Sequence, residues 1–285
     1  MKSFHGKVAA ITGAGSGIGR ALARQLASEG CALALSDINE TGLAETARLI
    51  AAAQPALRVT THKLDVADRV AMQAWADQVV ADHGRCNLII NNAGVAHGTT
   101  IEAVSYEAFE WLMNINFWGV VYGTKAFLPH LKASGDGHVV NLSSLFGLIG
   151  VPTQATYCSA KFAVRGFTET LRQELELQGA PVSSTCVHPG GVRTNIAKGA
   201  REDKTGLSGL GVKDADAAKA AMDKMLSTTS AEKAANIILR AVKRNAARVL
   251  VGPDAVFTDK IQRLFPTGYR KLVSAGTRMM LKKAS

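Results

Sequence analysis

The chain has 285 residues, 47% of them apolar, and a formal net charge of +10. That length and apolar content can support one large α/β domain or two small ones. No apolar run approaches the roughly 20 residues of a membrane-spanning helix, and the N-terminus lacks the apolar segment of a signal peptide, so we expect a cytoplasmic protein. The four cysteines are scattered, without a CxxC or Cys/His cluster, which argues against a disulfide framework and a zinc site, so we expect no metal.

The positive charge is concentrated at the C-terminal end of the chain. Residues 240–285 contain eleven Lys or Arg against two acids, a surplus of +9, so the first 239 residues are nearly neutral. The basic stretch has few aromatic residues and no recognition motif, so we expect no nucleic acid binding. Its basic residues flank apolar ones, so peripheral contact of this segment with an anionic membrane is one possible role. A solvated helix or a subunit contact is the more common role of such a segment.

Short apolar runs alternate with longer segments of helical periodicity along most of the chain. Strands are predicted at residues 8–12, 32–36, 59–63, 88–91, 138–142, 182–188 and 248–251. Helices are predicted between them, at residues 20–28, 40–53, 67–82, 106–131 and 155–177. Nearly continuous apolar strands in this alternation predict an α/β fold with a doubly wound, mostly parallel sheet and helices on both faces.

Two regions depart from the alternation. Residues 195–230 form a long insert before the last helix–strand unit, and an insert of this length is typical of a functional loop or lid. Beyond residue 252 the sequence is helical in pattern, with basic and apolar residues mixed. We therefore predict one domain at 1–252, a lid within it at 195–230, and a basic helical C-terminal extension at 253–285.

A glycine-rich turn, TGAGSGIG, follows the first strand and opens the first helix. Glycines at 13, 17 and 19 allow a tight turn and a close approach to a diphosphate, whose charge meets free N–H groups at the helix N-terminus. The spacing is not the standard GxGxxG, and a simple tight connection is the structural alternative. The succession of strand, turn and helix is the context that a dinucleotide site requires.

The second strand ends at Asp37. A carboxylate at this position can accept both ribose hydroxyls of an adenosine and repels a 2′-phosphate. No Arg or Lys follows Asp37, and Ser16 occupies the place in the turn where a phosphate-binding base could lie. This favours NAD over NADP as the cofactor, with a solvated turn residue as the alternative role of Asp37.

These motifs, with others further along, resemble the short-chain dehydrogenase/reductase family over residues 6–252. TGAGSGIG is similar to the family's dinucleotide turn, NNAG at 91–94 to the motif that closes its fourth strand, and the Asp65-Val66 pair to the pair it places near the adenine ring. The segment from Pro189 to Thr194 is similar to the one that holds the nicotinamide carboxamide. The resemblance implies a Rossmann-like oxidoreductase that assembles as a homodimer or homotetramer.

The stretch YCSAK places the phenol of Tyr157 and the amine of Lys161 four residues apart, on one face of a helix. The resemblance implies that Asn116, Ser144, Tyr157 and Lys161 are catalytic, with Tyr157 exchanging a proton with the substrate oxygen during hydride transfer. Lowering a phenol pKa from 10 to near 7 requires about 4 kcal/mol, and both the ammonium and the positive nicotinamide ring favour the phenolate. Lys161 can also bind the nicotinamide ribose.

Two further catalytic roles are expected. Ser144 ends the strand HVVNLSS, where its hydroxyl can donate to the same substrate oxygen. In the family pattern Asn116 helps hold a water that connects Lys161 to solvent, and a hydrogen bond to a nearby carbonyl is its structural alternative. The residues predicted to bind the cofactor are Gly13, Gly15, Ser16, Gly17, Ile18, Gly19, Asp37, Ile38, Asp65, Val66, Asn92, Ala93, Gly94, Tyr157, Lys161, Pro189, Gly190, Val192 and Thr194.

Apolar residues after Ser144 and after NNAG predict a mainly apolar pocket for a small-molecule substrate. Arg193 is the exception and could reach an acidic substrate or face solvent. We expect a hydrophobic secondary alcohol or ketone. An NADPH-dependent carbonyl reductase and a non-catalytic dinucleotide-sensing scaffold are the alternatives, although such a scaffold would be expected to lack the tyrosine or the lysine.

Overall fold

The computed structural model describes residues 1–194, 201–202 and 228–283, with side chains through residue 279 except at 201–202. The main strands are β1 (Val8–Thr12), β2 (Ala32–Asp37), β3 (Val59–Lys63), β4 (Leu88–Asn91), β6 (Gly137–Leu142), β7 (Val182–Pro189) and β9 (Arg248–Val251). They form one sheet of seven strands in the order β3-β2-β1-β4-β6-β7-β9, and every neighbouring pair is parallel. Two short strands, β5 (His97–Gly98) and β8 (Arg201–Glu202), pair separately.

Helices cover both faces of the sheet. They are α1 (Gly17–Ser28), α2 (Glu40–Ala53), α3 (Arg69–His83), α4 (Tyr106–Met113), α5 (Gly119–Ala133), α6 (Ala155–Leu177), α7 (Ala231–Lys243), α8 (Pro253–Leu264) and α9 (Tyr269–Lys283). A π-helical turn (Asn114–Trp118) joins α4 to α5, and a 3-10 turn (Leu145–Gly147) follows β6. The predicted fold class, a doubly wound Rossmann-like parallel sheet, is confirmed.

Two hydrophobic cores lie on opposite faces of the sheet. Ile11 of β1 packs in the core that contains residues of α1, α2 and α7, whereas its neighbour Ala10 belongs to the core that contains residues of α3, α5 and α6. Successive strand side chains point to opposite faces, which is why one apolar run contributes to both cores. In the second core Trp75 and Phe127 pack edge to face with ring centroids 5.1 Å apart. Burial of each large apolar side chain of this kind contributes about 1.5–3 kcal/mol to the stability of the folded state.

Most predicted elements agree with the structure to within three residues at each end, and one differs in kind. The pattern at 106–131 predicts a single helix, but the π-helical turn divides it into α4 and α5. A π turn accommodates one extra residue and commonly marks a functional site. Here it directs Asn116 inward, where the side chain is fully buried. Most of the predicted lid, residues 195–200 and 203–227, lies outside the described residues.

The residues after β9 form α8 and α9. Asp259 of α8 is buried and forms ion pairs with Arg248 of β9 and with Arg263, the latter at 3.0 Å. The Gly150 N–H donates to the Tyr269 hydroxyl of α9 at 3.3 Å. These contacts attach both helices to the strand and to the loop after β6. Among the described residues, no helix has the length and apolar character needed to span a membrane.

Candidate active site

A cleft of about 560 Å³ opens at the carboxyl ends of the strands, where the chain order reverses on either side of β1. Parallel α/β sheets bind their ligands at this position. The cleft brings together most of the predicted site residues: Gly13, Ser16, Gly17, Ile18, Asp37, Ile38, Asp65, Val66, Asn92, Ala93, Gly94, Ser144, Tyr157, Lys161, Pro189, Gly190, Val192 and Thr194. Gly15, Gly19 and Asn116 do not line it, and they support the residues that do.

The glycine turn packs directly against the NNAG segment. A Cβ on Gly13, whose φ is +66°, would lie 2.8 Å from Ala93 Cα and 2.9 Å from Asn92 Nδ2. Asn92 Nδ2 donates to the carbonyl oxygens of Thr12 and Gly13 at 2.9 and 3.0 Å. A Cβ on Gly19 would collide with the Gly13 carbonyl. Close backbone packing therefore requires glycine at these two positions, whether or not a ligand is bound.

The N-terminus of α1 is suited to an anion. The helix begins at Gly17, and its N-cap residue Ser16 makes no side-chain capping bond. The first N–H groups of a helix have no intrahelical partner and carry the positive end of its dipole. Because Ser16 and Gly17 both line the cleft, these donors can meet a diphosphate there.

Asp37 lies at the edge of the cleft, with both carboxylate oxygens anchored. Oδ2 accepts the N–H of Gly15 at 2.8 Å, and Oδ1 accepts the N–H of Asn39 at 2.9 Å. Among the described residues that line the cleft, Lys161 is the only base. Arg20, in α1, instead binds Thr46 Oγ1 at 2.9 Å and the carbonyls of Gly15 and Gly42. The Arg20 guanidinium is therefore engaged by these partners and does not line the cleft that Asp37 lines.

Asn116 exchanges two hydrogen bonds with the backbone that follows NNAG. Its Oδ1 accepts the N–H of Val95, and its Nδ2 donates to the Val95 carbonyl, each at 2.8 Å. A Cβ on Gly94 would lie 3.2 Å from Asn116 Oδ1 and 3.7 Å from Lys161 Nζ. The structural alternative considered for Asn116 thus accounts for its side chain. Its proposed role in holding a water stays a prediction.

Tyr157 and Lys161 lie on one face of α6, at the end of β6. Lys161 is 3% exposed, and its Nζ donates to the Leu142 carbonyl at 2.9 Å. The ammonium lies 5.6 Å from the centroid of the Tyr157 ring. Burial lowers the pKa of Lys161 to about 8, because the charged form loses its hydration. The ammonium is therefore close enough to the Tyr157 ring for an electrostatic interaction.

The phenol of Tyr157 differs from the sequence-based expectation. Burial raises its pKa to about 12, and a hydrogen bond with the Ser144 hydroxyl opposes this only in part. The chain by itself therefore holds the phenol protonated at neutral pH instead of lowering its pKa toward 7. The physical reason is that desolvation of the phenolate outweighs the stabilisation that nearby groups of the chain provide.

Ser143 and Ser144 directly follow β6, and their hydroxyl groups have different partners. Ser144 Oγ accepts the N–H of Phe146 at 3.1 Å, whereas Ser143 Oγ donates to the Lys161 carbonyl at 2.8 Å. The Nδ1 atom of His188 lies 3.0 Å from the carbonyl oxygen of Ser144. His188 belongs to β7 and was not among the predicted site residues. Burial lowers the pKa of His188 to about 4, so the neutral ring donates from Nδ1 and fixes the Ser144 backbone.

Further lining residues were also not predicted. They are Leu64, Trp111, Ile115, Leu142 and Ser143. Trp111 and Ile115 are four residues apart and share one helical face, a spacing that is equally typical of core residues. Among the described residues, no group of His, Cys, Asp and Glu could hold a metal ion.

Comparison with known proteins decides the family. The short chain dehydrogenase family profile matches residues 7–205. The chain belongs to this family. The short-chain dehydrogenase assignment agrees with the resemblance drawn from the TGAGSGIG, NNAG and YCSAK motifs. It makes the chain an oxidoreductase by family, and it leaves the substrate open.

Relatives and solved structures of the family cover most of the chain. The Mycobacterium tuberculosis protein SadH, provisionally named an oxidoreductase, is 49% identical to this chain over 97% of each of the two chains. Estradiol 17-beta-dehydrogenase 11 of Pongo abelii is 37% identical over 69% of this chain and 65% of its own. A Burkholderia phymatum short-chain dehydrogenase in complex with NAD has 30% identity and a TM-score of 0.83, covering 92% of this chain and 95% of that one.

A fourth relative binds the other type of dinucleotide. The alcohol dehydrogenase of Thermococcus sibiricus, complexed with 5-hydroxy-NADP, has 26% identity and a TM-score of 0.72. It covers 86% of this chain and 96% of its own length. The family thus includes proteins that bind either cofactor.

Proposed function

We propose that the chain is an NAD-dependent oxidoreductase in which Tyr157 exchanges a proton with a hydrophobic secondary alcohol or ketone. The observation that carries this proposal is the convergence of Ser144, Tyr157 and Lys161 in one cleft with the glycine turn and Asp37. Hydride transfer requires a dinucleotide and a proton donor or acceptor side by side. Membership of the short-chain dehydrogenase family supports the same activity.

The dinucleotide would lie along the strand ends from β2 to β7. The N-terminus of α1 suits the diphosphate, Asp37 suits the adenosine ribose, and residues 189–194 suit the nicotinamide end. The bound cofactor supplies or accepts the hydride. We favour NAD because Asp37 carries negative charge where a 2′-phosphate would lie, and the NAD-bound Burkholderia relative supports this choice. An NADPH-dependent carbonyl reductase is the competing assignment.

Tyr157 is the proton-transfer group of this proposal. A phenol with a pKa of about 12 is protonated at neutral pH, so Oη can donate a proton to a ketone oxygen. The Ser144 hydroxyl, hydrogen-bonded to Tyr157, can donate to the same oxygen. In the reverse direction Oη must accept a proton, and the positive charge of Lys161 and of an oxidised nicotinamide would favour the phenolate. Lys161 Nζ can also bind ribose hydroxyls.

The substrate would be apolar near its reacting carbon. Val95, Trp111 and Ile115 line the same cleft as Tyr157, and no Arg of the described residues does so. Such a lining accepts a hydrophobic alcohol better than a carboxylate or phosphate ester. The relative named for estradiol oxidation supports a hydrophobic secondary alcohol as the substrate class.

The test is NADH formation from NAD⁺ with secondary alcohols graded by size and polarity. We expect turnover to rise with hydrophobic bulk, and Tyr157→Phe to reduce it at least about 1,000-fold while NADH affinity stays within twofold. Tyr106→Phe is the matched control, because Tyr106 is 85% exposed and outside the cleft. An active Tyr157→Phe variant would refute the proton-transfer role. Tight NADH binding without turnover on any alcohol or ketone would favour the dinucleotide-sensing scaffold.

We also propose that the chain forms a homodimer or homotetramer, as its family generally does. Trp118 and Phe162 are large apolar side chains that are 43% and 41% exposed, and Trp118 stacks on Tyr122 with centroids 5.8 Å apart. An exposed aromatic group of this kind is typical of an interface. Light scattering of the purified chain measures the oligomeric state, and a monomer at micromolar concentration would contradict the proposal.

A further inference from the structure

Asp254, one of the two acids of residues 240–285, joins three segments of the chain. It lies in the first turn of α8, just after Gly252. Its Oδ2 accepts the N–H of Gly191 at 2.6 Å, and its Oδ1 accepts the hydroxyl of Thr228 at 3.3 Å. One carboxylate thus connects the extension, the turn after β7 and the segment that leads into α7.

Two glycines make room for this carboxylate. A Cβ on Gly190 or on Gly252 would collide with Asp254 side-chain oxygens. Gly252 has a φ of +100°, which also favours glycine. The glycine at position 190 is therefore explained by the approach of Asp254 from outside the cleft. No ligand is needed to account for it.

The same turn is held by backbone hydrogen bonds that converge on Gly191. Its carbonyl accepts the N–H groups of Thr228 and Thr229 and the Thr228 hydroxyl, each at 3.0 Å. The N–H of Arg193 donates to the Thr229 carbonyl at 2.9 Å, and the N–H of Gly190 donates to the Val251 carbonyl at 2.8 Å. Together with the Asp254 bond, these contacts tether the turn to β9, to α8 and to residues 228–229. The same segment contributes Pro189, Gly190, Val192 and Thr194 to the lining of the cleft.

We propose that Asp254 is a positioning residue for the nicotinamide half of the cofactor cleft. It does not line the cleft, and it acts by fixing residues 190–194 through the N–H of Gly191. This inference rests on the proposed function. The affected segment follows β7, whereas Asp37 ends β2, which lies four strands away in the sheet. Loss of Asp254 therefore weakens contacts to the nicotinamide end and leaves the adenosine end unchanged.

Binding of NADH and of ADP-ribose, measured by calorimetry, separates the two halves. We expect Asp254→Ala to weaken NADH binding about fivefold and ADP-ribose binding less than about twofold. Asp254→Asn keeps an acceptor for Gly191 and is expected to recover most of the NADH affinity. The control is Asp136→Ala, which removes the ion pair with Lys7 at 2.9 Å beside the amino end of β6. It is expected to lower thermal stability without changing either affinity.

A second measurement does not depend on the cofactor. Hydrogen exchange of the Gly191 and Arg193 amides is expected to accelerate at least about tenfold in Asp254→Ala, with little change at Asp37 and Asn39. If Asp254→Ala lost the same affinity for NADH as for ADP-ribose, or bound NADH as tightly as the wild type, the role of Asp254 would be overturned. The proposed function would still stand. Failure of the wild-type protein to bind either ligand would instead refute the proposed function, and this inference with it.

Discussion

The backbone N–H of Gly15 donates a 2.8 Å hydrogen bond to Asp37 Oδ2. The acid that ends β2 is thereby held against the glycine turn that follows β1, although the two residues are 22 positions apart. A Cβ on Gly15 would lie 2.8 Å from the same oxygen, so the glycine is needed for this contact. Asp37 is consequently a preorganised group, and its charge stands at a defined place in the cleft.

Replacing Asp37 with Asn tests whether that charge selects the cofactor. The amide oxygen keeps an acceptor for the Gly15 N–H, the bond to the Asn39 N–H is lost, and the negative charge is removed. We expect the affinity for NADPH to rise about tenfold, which corresponds to about 1.4 kcal/mol of lost like-charge repulsion, and the affinity for NADH to fall. Fluorescence titration with both cofactors gives the ratio. A wild-type protein that already binds NADPH more tightly than NADH would contradict the assignment to NAD.

Gly13 and Gly6 form a matched pair for the glycine turn. Their φ values are +66° and +69°, but a Cβ on Gly6 would meet nothing within 4 Å, whereas one on Gly13 would press on Ala93. We expect Gly6→Ala to cost about 1 kcal/mol of unfolding free energy from backbone strain alone, with unchanged NADH affinity. Gly13→Ala is expected to cost more and to weaken NADH binding at least about tenfold, because the NNAG segment must shift. Urea denaturation and NADH titration measure both quantities, and identical behaviour of the two variants would contradict the packing argument.

Asn116 connects the π-helical turn to Val95, and its exposed neighbour Asn114 supplies the control. Asn116→Ala leaves the N–H and the carbonyl of Val95 without these partners in a partly buried place. We expect a loss of about 2 kcal/mol in unfolding free energy and a fall in kcat, because Gly94 and Lys161 lie beside the amide. Asn114→Ala is expected to change the unfolding free energy by less than about 0.5 kcal/mol. Equal effects from the two variants would show that the bonds to Val95 contribute nothing.

Lys161 gives stability a specific pH dependence. Its pKa in the folded chain is about 8, lowered by burial from the ordinary value of 10.5. Between these values the unfolded chain binds more protons, so this residue makes the folded state more stable as pH rises. Lys161→Met removes the buried ammonium and is expected to abolish turnover while raising the unfolding free energy at pH 7 by up to about 3 kcal/mol.

The advantage of Lys161→Met over the wild type should be complete below pH 8 and should shrink as pH rises toward 10.5. Urea denaturation of both proteins at pH 7 and pH 10 measures the difference. Lys125→Met is the control, since Lys125 is exposed on α5 and its replacement should change the unfolding free energy little at either pH. A constant difference between Lys161→Met and the wild type would mean that Lys161 titrates alike in the folded and unfolded chain.

Local patterns were sufficient for most of the fold. The apolar run at 88–91 became β4 with the predicted bounds, and helical periodicity at 40–53 became α2 with the predicted bounds. The π-helical turn was missed, and its residue Asn116 bonds to Val95, which is 21 residues away in sequence. A pattern of 3.6 residues per turn carries no sign of a single extra residue that a distant contact stabilises.

The candidate site shows the same division. The glycine turn, NNAG and YCSAK were found because their spacing is tied to strand ends and helix starts. Trp111 and Ile115 were missed, because apolar residues at helical spacing are typical of a core as well as of a pocket. His188 was missed because its contact with the Ser144 carbonyl joins β7 to the turn after β6, and the two residues are 44 positions apart in sequence.

The sequence by itself determined the layered α/β architecture, the family and the identity of the candidate catalytic residues. These follow from local periodicity and from motifs whose residues are close together in the chain. Only the tertiary structure decided the raised pKa of Tyr157, the lowered pKa of Lys161 and the attachment of Asp254 to Gly191. Burial and hydrogen bonding of these groups depend on segments that are distant in sequence and meet only when the sheet and its helices have packed.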